Sequence, residues 1–204
     1  MFTGLVQEVG TIAHLDRRDD GMSLRITCAL HPFELGESIA VDGICLTVKA
    51  NTETSFDADA SNETLDKSNL ADRALADRVH LERALSLGDK LGGHLVTGHV
   101  DGVGRLVDKT PSGDYVRATF EAPARLAPFL APKGSITVNG VSLTVNGVEG
   151  ARFDVMLVPY TLDETTFGAM ARDCRINLEV DVLAKYVASL MGKPGVDGAP
   201  ADRG

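Results

Sequence analysis

At residues 42–48 the chain reads DGICLTV, and at residues 139–145 it reads NGVSLTV. Each stretch joins a tight-turn signal to a short run that alternates apolar and polar residues, which is the pattern of a β-hairpin. The two stretches lie 97 residues apart (139 − 42). Solenoid and propeller units repeat every roughly 20–50 residues, so this longer period predicts two copies of a small domain.

Three further pairs extend the repeat in the same order. TGLV at 3–6 returns as TGHV at 97–100, ETLD at 63–66 as YTLD at 160–163, and VHLE at 79–82 as INLE at 176–179. Short β-branched runs separated by Gly, Asp and Asn predict a small antiparallel barrel or sandwich in each half. We also predict turns at 16–21 and 111–114, and short helical segments at 32–35, 64–69, 126–130 and 161–167.

Composition narrows the possible functions. Of 204 residues, 44% are hydrophobic and 24% are charged, values that are typical of a soluble globular protein. The net charge of −9 disfavours nucleic acid and an anionic membrane surface, since both need clustered cations. The chain has no apolar run of membrane-spanning length and no signal-peptide pattern. Three cysteines without paired spacing favour free thiols in a reducing compartment over disulfides or a metal site, and we expect a cytoplasmic protein.

The clearest helix is predicted at the C-terminal end. Asp181 is placed to cap it, and Gly192 with Pro194 to end it. An apolar stripe runs along it, formed by Leu183, Tyr186, Val187, Leu190 and Met191. A helix of about ten residues is marginal alone, so the stripe packs either on its own domain or on copies of itself. The following Gly-, Pro- and Asp-rich segment is expected to be disordered.

The segment GGHLVTGHVDG at 92–102 combines four glycines with two histidines. Glycines let a backbone approach a flat ligand closely. The five-residue spacing of His94 and His99 does not match a helical zinc motif, so we expect no metal. For His94 we favour a hydrogen bond to a backbone carbonyl. For His99 we favour a functional role, because its counterpart in the first half is the apolar Leu5.

The repeated hairpin supplies a second group of candidates. Cys45 and Ser142 occupy matching positions, and in an alternating strand each shares a face with the threonine two residues on, Thr47 or Thr144. Cys45 is a nucleophile or a buried small hydrophobe. No histidine lies close in sequence to activate either group, which disfavours a serine or cysteine triad. Thr64 and Thr161 present polar groups to a ligand, cap the helices that follow, or do both.

These motifs, with MFTGLV at the start and DVLAKY at 181–186, resemble the riboflavin synthase alpha chain family over residues 1–191. The resemblance implies an all-β fold: two tandem six-stranded antiparallel Greek-key barrels from an internal duplication, plus a short C-terminal α-helix. The implied boundaries are 1–92 and 93–181 for two lumazine-binding barrels, 182–192 for an oligomerisation helix and 193–204 for a tail.

The resemblance also implies an activity. Two molecules of 6,7-dimethyl-8-ribityllumazine react, and one transfers a four-carbon unit to the other to give riboflavin and 5-amino-6-ribitylamino-uracil, the last step of riboflavin synthesis. No cofactor or metal is implied. The implied assembly is a homotrimer joined by the C-terminal helices, with each site formed between two subunits. Association with lumazine synthase is left open.

The family's site residues carry over to two pockets. The first would use Gly4, Leu5, Val6, Cys45, Leu46, Thr47, Asp59, Ala60, Ser61, Asn62, Glu63 and Thr64. The second would use Gly98, His99, Val100, Ser142, Leu143, Thr144, Met156, Leu157, Val158, Pro159, Tyr160 and Thr161, with Lys133 reaching across the interface.

The chemistry of this reaction leads to a hypothesis for the role of each catalytic candidate. His99 carries the proton, and Cys45 adds at C7 of a lumazine or orients a water that does so. Ser142 and Thr144 stabilise the partner molecule, while Phe2 covers the site. Asn139 and Tyr160 stand where some members have acidic residues, so we expect the second pocket to hold the ribityl chain differently.

Two rival functions remain open. One is a non-catalytic lumazine or flavin carrier of the fluorescent type, against which the joint presence of Cys45, His99 and Ser142 argues. The other is a flavin-dependent oxidoreductase on a similar barrel, which the lack of a dinucleotide-binding domain disfavours. A carrier is expected to purify with bound chromophore, whereas an enzyme releases its product.

Overall fold

The structure, a computed structural model, describes residues 1–197 and contains two closed barrels of six antiparallel strands. The first barrel consists of β1 (Glu8–Arg18), β2 (Gly21–Thr27), β3 (Ser38–Val41), β4 (Ile44–Asn51), β5 (Ser55–Ser61) and β6 (Arg78–Arg83). The second consists of β7 (Gly102–Ser112), β8 (Tyr115–Glu121), β9 (Ser135–Val138), β10 (Val141–Glu149), β11 (Arg152–Leu157) and β12 (Arg175–Val180). The predicted all-β duplication is confirmed.

Both barrels have the same topology. Around the first, the strands follow the order β1-β2-β5-β4-β3-β6, and around the second the matching order β7-β8-β11-β10-β9-β12. Residues 1–197 also form three helices, namely α1 (Asn62–Lys67), α2 (Pro159–Glu164) and α3 (Val182–Leu190), together with 3-10 segments at Asn69–Asp72 and Ala124–Phe129. Each barrel interior is a separate hydrophobic core.

The strand pattern predicted for the repeated hairpin is confirmed. In β4, Leu46 is buried while Cys45 is half-buried and Thr47 is exposed. In β10, Leu143 is buried while Ser142 and Thr144 lie on the outer face. Alternation therefore sends the leucines into the cores and the polar positions outward, as the period of two requires.

Several local predictions are corrected. The turn placed at 16–21 is confined to Asp19 and Asp20, because Arg18 still pairs with Gly21. The turn at 111–114 is likewise shortened, since Ser112 pairs with Tyr115. Charged side chains at a strand's end stay in water while its backbone remains paired, and a two-residue loop suffices for the hairpin.

The helical segment predicted at 32–35 is wrong. This stretch is irregular, and its backbone groups are bound by other parts of the barrel. The Phe33 carbonyl accepts a hydrogen bond from Asn51 Nδ2 at 3.2 Å, and Glu34 N donates to Glu37 Oε2 at 3.0 Å. The matching segment of the second half is helical, within the 3-10 segment Ala124–Phe129.

The two barrels meet at their tight turns, which lie back to back. A Cβ atom added to Gly43 would lie 2.7 Å from Gly140 N, so neither turn has room for a side chain. The adjoining carboxamides and carboxylate are buried and bind equivalent backbone groups. Asp42 Oδ1 accepts from His80 N at 2.9 Å, and Asn139 Oδ1 accepts from Asn177 N at 2.7 Å.

This arrangement corrects the role expected for Asn139. Asn139 is 1% exposed, and its side chain is held at the interface between the barrels. An amide at this position accepts from Asn177 N, as the carboxylate of Asp42 does for His80 N. The amide thus makes the same backbone bond as the carboxylate, and this position belongs to the contact between the barrels.

His80 and Asn177 occupy matching positions and form matching hydrogen bonds across the interface. His80 Nε2 accepts from Thr166 N at 2.9 Å, so its proton lies on Nδ1, which faces the Asn139 carbonyl at 2.9 Å. Asn177 Oδ1 accepts from Asn69 N at 2.7 Å, and Asn177 Nδ2 donates to the Asp42 carbonyl at 2.9 Å. Both side chains thus offer one donor and one acceptor, with His80 neutral.

We expect His80→Asn to flatten the acid dependence of stability. Burial lowers the pKa of His80 below its ordinary value of 6.5, although Asp42 opposes this effect. The unfolded chain therefore takes up this proton first, and stability that is fully present above about pH 6.5 is lost as the pH falls, by at most about 1.4 kcal/mol per pH unit.

Denaturant unfolding of both proteins between pH 7 and pH 5 measures this effect. Other titrating groups are common to the two proteins, so the difference between the two slopes belongs to His80. Equal slopes for wild type and His80→Asn would contradict the assignment of a neutral, buried His80.

Helix α3 begins as predicted. Asp181 caps it by accepting from Leu183 N at 2.9 Å, and Gly192 follows its end with φ of 66°. Its small residues Ala184 and Ala188 pack against the second core. The predicted apolar stripe faces away and stays exposed, with side chains Leu183, Tyr186, Val187, Leu190 and Met191. The chain's own domain therefore leaves most of the stripe uncovered.

The chain continues beyond α3 along both halves. Val196 packs against the second core, and Asp197 pairs with Lys67 of α1 at 2.6 Å. The rest of the predicted tail, residues 198–204, lies outside the described residues. Within residues 1–197, no helix combines the length and apolar character needed to cross a bilayer.

Candidate functional site

A cavity of about 260 Å³ opens at the end of the first barrel nearest the repeated hairpin. Its lining comes from three parts of the chain: the start of β4, helix α1 with the residue after it, and the segment 92–102 that contains His94 and His99. The lining residues are Ile44, Cys45, Glu63, Thr64, Lys67, Ser68, Gly98, His99 and Val100. The cavity thus brings a thiol, an imidazole, a carboxylate and an ammonium group together at one opening.

The segment 97–100 crosses over to the first barrel, although it opens the second repeat. Cys45 N donates to the Gly98 carbonyl at 2.9 Å, and Val100 packs against the first core. The approach is close: a Cβ on Gly98 would lie 2.6 Å from Cys45 Cβ, and the φ of Gly98 is +80°. The prediction that Gly98, His99 and Val100 belong with Ser142 is therefore wrong.

The matching segment 3–6 crosses in the opposite direction. Ser142 N donates to the Gly4 carbonyl at 2.7 Å, and Val6 packs against the second core. A Cβ on Gly4 would lie 2.6 Å from Ser142 Cβ. Gly4, Leu5 and Val6 accordingly lie beside the second barrel, and their predicted grouping with Cys45 is also wrong. Each barrel carries a loop from the other half of the repeat.

Sequence reasoning missed a histidine beside Ser142. His94 Nδ1 lies 2.8 Å from Ser142 Oγ, and His94 N donates to the Thr3 carbonyl at 3.1 Å. We expected the His94 ring to bond to a backbone carbonyl, but its Nδ1 bonds to the Ser142 hydroxyl instead. Burial lowers the pKa of His94, while Asp181 acts in the opposite sense. A neutral imidazole bonded to a hydroxyl can accept a proton through it.

The run 59–64 divides between two openings. Glu63 and Thr64 line the first cavity, whereas Asp59, Ala60 and Ser61 line a neighbouring groove of about 340 Å³ beside Arg18. Asp59 pairs there with Lys49, which holds the pKa of that carboxyl below its usual range. Asn62 begins α1 and donates to the Asp19 carbonyl at 2.8 Å.

The helix caps differ from the prediction. Ser61 caps α1 by accepting from Thr64 N at 3.3 Å, so Thr64 lies inside the helix. Helix α2 begins at Pro159 after Val158, which provides no side-chain cap, and Thr161 lies within it. A proline fits this first position because its nitrogen has no hydrogen to satisfy.

Most of the remaining second-half candidates lie where β11 ends and α2 begins. Met156 and Leu157 end β11, and Tyr160 in α2 is 74% exposed. Lys133 lies in an exposed turn with φ of 67°, and its Nζ reaches Asn146 Oδ1 at 3.4 Å. Tyr160 and Lys133 are thus available to molecules outside the chain.

Phe2 lies beneath the two segments that cross between the barrels, residues 3–6 and 97–100. It is fully buried with Ala40 and Val96, and it pairs with Val96 through an isolated β-bridge. A Cβ on Gly98 would lie 2.9 Å from its ring. Phe2 therefore supports the floor of the first cavity from below and does not cover the opening.

An imidazole lies with a small nucleophilic side chain at the cavity of the first barrel and at the matching place on the second barrel. In the first these are His99 and Cys45, and in the second His94 and Ser142. Among residues 1–197, no three His, Cys, Asp or Glu side chains are grouped so as to hold a metal ion. The three cysteines are free thiols, and burial raises the pKa of Cys28 to about 11.

Comparison with known proteins places both halves in one family. A family model described as the lumazine binding domain matches residues 3–84 and 97–181. The riboflavin synthase of Brucella abortus (strain 2308) is 43% identical over 197 residues, covering 93% of this chain and 98% of the relative. That of Mycobacterium tuberculosis (strain ATCC 25618 / H37Rv) is 44% identical over 201 residues, covering 96% and 100%.

Solved structures share the fold at lower identity. The crystal structure of LumP complexed with riboflavin matches with a TM-score of 0.80 and 23% identity, covering 88% of this chain and 99% of LumP. The complex of LumP with 6,7-dimethyl-8-(1'-D-ribityl) lumazine gives a TM-score of 0.78 at 22% identity, with the same coverage. Likeness at this identity concerns the double-barrel fold alone.

Proposed function

The chain belongs to the riboflavin synthase family with its duplicated lumazine binding domain, and from that premise we propose that it is a transferase acting on 6,7-dimethyl-8-ribityllumazine. Two lumazines react, one gives up a four-carbon unit to the other, and the products are riboflavin and 5-amino-6-ribitylamino-uracil. The observation that carries this proposal is the likeness to curated riboflavin synthases over almost the whole chain, in both halves.

The two pockets suit a reaction between two copies of one molecule. Each barrel end binds one lumazine, and the polar lining residues, such as Glu63, face its ribityl hydroxyls. The lumazine 7-methyl group is acidic because its anion is delocalised over the ring system. Removing that proton gives a carbon nucleophile, and addition at C7 of the second lumazine makes the acceptor. Holding both molecules face to face lowers the barrier through proximity.

The side chains of the first pocket serve this chemistry directly. His99 carries the proton, since it lines the first cavity and an imidazole can act as a general acid or base. Cys45 adds at C7 or orients the water that adds. In the second pocket, Ser142 and Thr144 stabilise the partner lumazine. The bond between Ser142 and His94 supports a route for the proton there.

We expect Cys45→Ser and His99→Gln each to lower kcat/KM by at least about tenfold, or ~1.4 kcal/mol. Both side chains line the first cavity, and each replacement keeps a similar volume while removing the thiol or the imidazole. Steady-state kinetics with purified variants measures the effect. A loss smaller than tenfold for either variant would exclude an essential role for that side chain.

A homotrimer with its sites between subunits completes the proposal. The exposed stripe on α3 supports it, together with a cavity of about 540 Å³ beside the helix. That cavity has an apolar lining that includes Phe129, Val187 and Met191. The N-terminal barrel of one subunit then faces the C-terminal barrel of the next, with Lys133 reaching across. We place the enzyme in the cytoplasm and propose lumazine synthase as a partner.

Mixing the purified protein with 6,7-dimethyl-8-ribityllumazine tests the activity. One riboflavin formed for every two lumazines consumed, without an added cofactor, is the expected result. The rival is a carrier, favoured by the likeness in fold to LumP bound to riboflavin. Tight binding without turnover, and purification with a coloured ligand, would overturn the transferase in favour of that carrier.

A further inference from the structure

Two buried glutamates bind the two crossing loops, which are residues 3–6 (the first crossing loop) and residues 97–100 (the second). Glu82, at the end of β6, is 5% exposed and receives three hydrogen bonds from the first crossing loop. Its Oε1 accepts from Thr3 N at 2.6 Å and from Thr3 Oγ1 at 2.7 Å, and its Oε2 accepts from Gly4 N at 2.9 Å. All three donors belong to the TG pair that opens the repeat.

Glu179, near the end of β12, repeats this arrangement and is 2% exposed. Its Oε1 accepts from Thr97 N and Thr97 Oγ1, both at 2.7 Å, and its Oε2 accepts from Gly98 N at 3.0 Å. Both glutamates occupy the last position of the repeated motif VHLE/INLE. No part of the proposed reaction uses either glutamate.

The side chain required at this position is an ionised carboxylate. Three hydrogens converge on two oxygens, and a carboxylate offers only acceptors. A glutamine would turn its amide hydrogens toward one of the donors and leave a buried clash of donors. Burial raises the pKa of both glutamates, whereas their bonds to the threonines oppose that rise.

The crossing of the loops makes each glutamate act on the opposite barrel. Glu179 belongs to the second barrel, yet the Gly98 that it holds lies on Cys45 of the first. Glu82 belongs to the first barrel, yet the Gly4 that it holds lies on Ser142 of the second. One hydrogen-bonded loop thus connects Glu179 to the pocket of the first barrel, and another connects Glu82 to Ser142 of the second barrel.

We propose that Glu82 and Glu179 are positioning residues, each of which fixes the loop that completes the pocket of the other barrel. Glu179 sets the place of Gly98 and His99 at the first cavity, and Glu82 sets the place of Gly4 and Leu5 beside Ser142. The kinetic consequence rests on the proposed transferase activity, whereas the structural consequence does not.

Amide exchange distinguishes the two glutamates. In Glu179→Gln, we expect the Gly98 amide to exchange with deuterium at least about tenfold faster, while the Gly4 amide stays within about twofold of wild type. In Glu82→Gln, the Gly4 amide is expected to accelerate and the Gly98 amide to stay unchanged. The exposed Glu149, at the end of β10, provides the matched control Glu149→Gln, for which neither amide is expected to change.

Kinetics provides the second measurement. Each of the two variants is expected to lower kcat/KM at least about tenfold, and Glu149→Gln to leave it unchanged. Equal acceleration of both amides in Glu179→Gln, or acceleration of neither, would overturn the proposal. If the wild-type protein forms no riboflavin, the proposed activity fails while the exchange measurement still decides the positioning role.

A conservative pair of variants covers the case in which Glu179→Gln does not fold. Thr97→Val removes only the hydroxyl bond to Glu179, and Thr97→Ser retains it. We expect faster exchange at Gly98 and lower kcat/KM in Thr97→Val, with both values restored toward wild type in Thr97→Ser. Equal behaviour of the valine and serine variants would show that the bond to Glu179 does not position the loop.

Discussion

Replacing Gly98 by alanine is expected to lower kcat/KM by about a hundredfold or more. The new Cβ would lie 2.6 Å from Cys45 Cβ and 2.9 Å from the buried Phe2 ring, so the loop must move away from the first cavity. His99, the next residue, moves with it. Misplacing a reacting group by about 1 Å is enough to cost about a hundredfold in rate.

The matched control is Gly113→Ala. Gly113 also has a positive φ, of 62°, but a Cβ there meets no atom within 4 Å. Both variants therefore carry the strain of an alanine in the left-handed region, of order 1–2 kcal/mol, and only Gly98→Ala carries the clash. Kinetics and thermal unfolding of the pair measure the difference. Equal losses in the two variants would mean that backbone strain, and not the close approach to Cys45, limits activity.

A charge on the exposed face of α3 is expected to abolish both assembly and activity. Leu190 is 89% exposed in the single chain and belongs to the apolar stripe. In the proposed trimer, Leu190→Asp would bring three carboxylates into an apolar interface. Removing a carboxylate from water without a partner costs several kcal/mol. We expect monomers at micromolar concentration and a loss of activity of about a hundredfold or more.

Sedimentation and lumazine turnover, measured on the same samples, test this prediction. Leu35→Asp is the matched control, because Leu35 is 71% exposed in a loop of the first barrel. That variant is expected to remain assembled and active. A monomeric Leu190→Asp protein with full activity would show that one chain contains a complete site, and an intact trimer would remove α3 from the interface.

Much of the fold depends on residues that are close together in the sequence, and these parts can be predicted from it. The repeated hairpin specifies a turn, a strand and the face of every residue in that strand, so the placement of Leu46 and Leu143 in the cores followed directly. Asp181 and Gly192 likewise define α3 through short-range capping bonds. The sequence also predicts the apolar stripe on α3. That the stripe faces outward is known only from the structure, in which Ala184 and Ala188 pack against the second core.

The grouping of residues at the two pockets was not local, and sequence reasoning placed it wrongly. A repeat suggests that each half contains its own pocket, whereas the loops at Gly4 and Gly98 cross to the opposite barrels. Periodicity reports which face a residue occupies and carries no information about which barrel a connecting loop approaches. The contact between His94 and Ser142 was missed for the same reason, since 48 residues separate them.

Because residues 3–6 and 97–100 cross between the barrels, the two barrels cannot both be completed in the order in which the chain is synthesised. Strands β1 to β6 can close once residue 83 has left the ribosome, yet the first pocket stays unfinished until residues 97–100 appear. The Gly4 loop waits far longer, because Ser142 is 138 residues further on (142 − 4). At ordinary elongation rates that interval is on the order of ten seconds. The first half therefore waits for translation of the second, whereas the second half finds its crossing segment already synthesised.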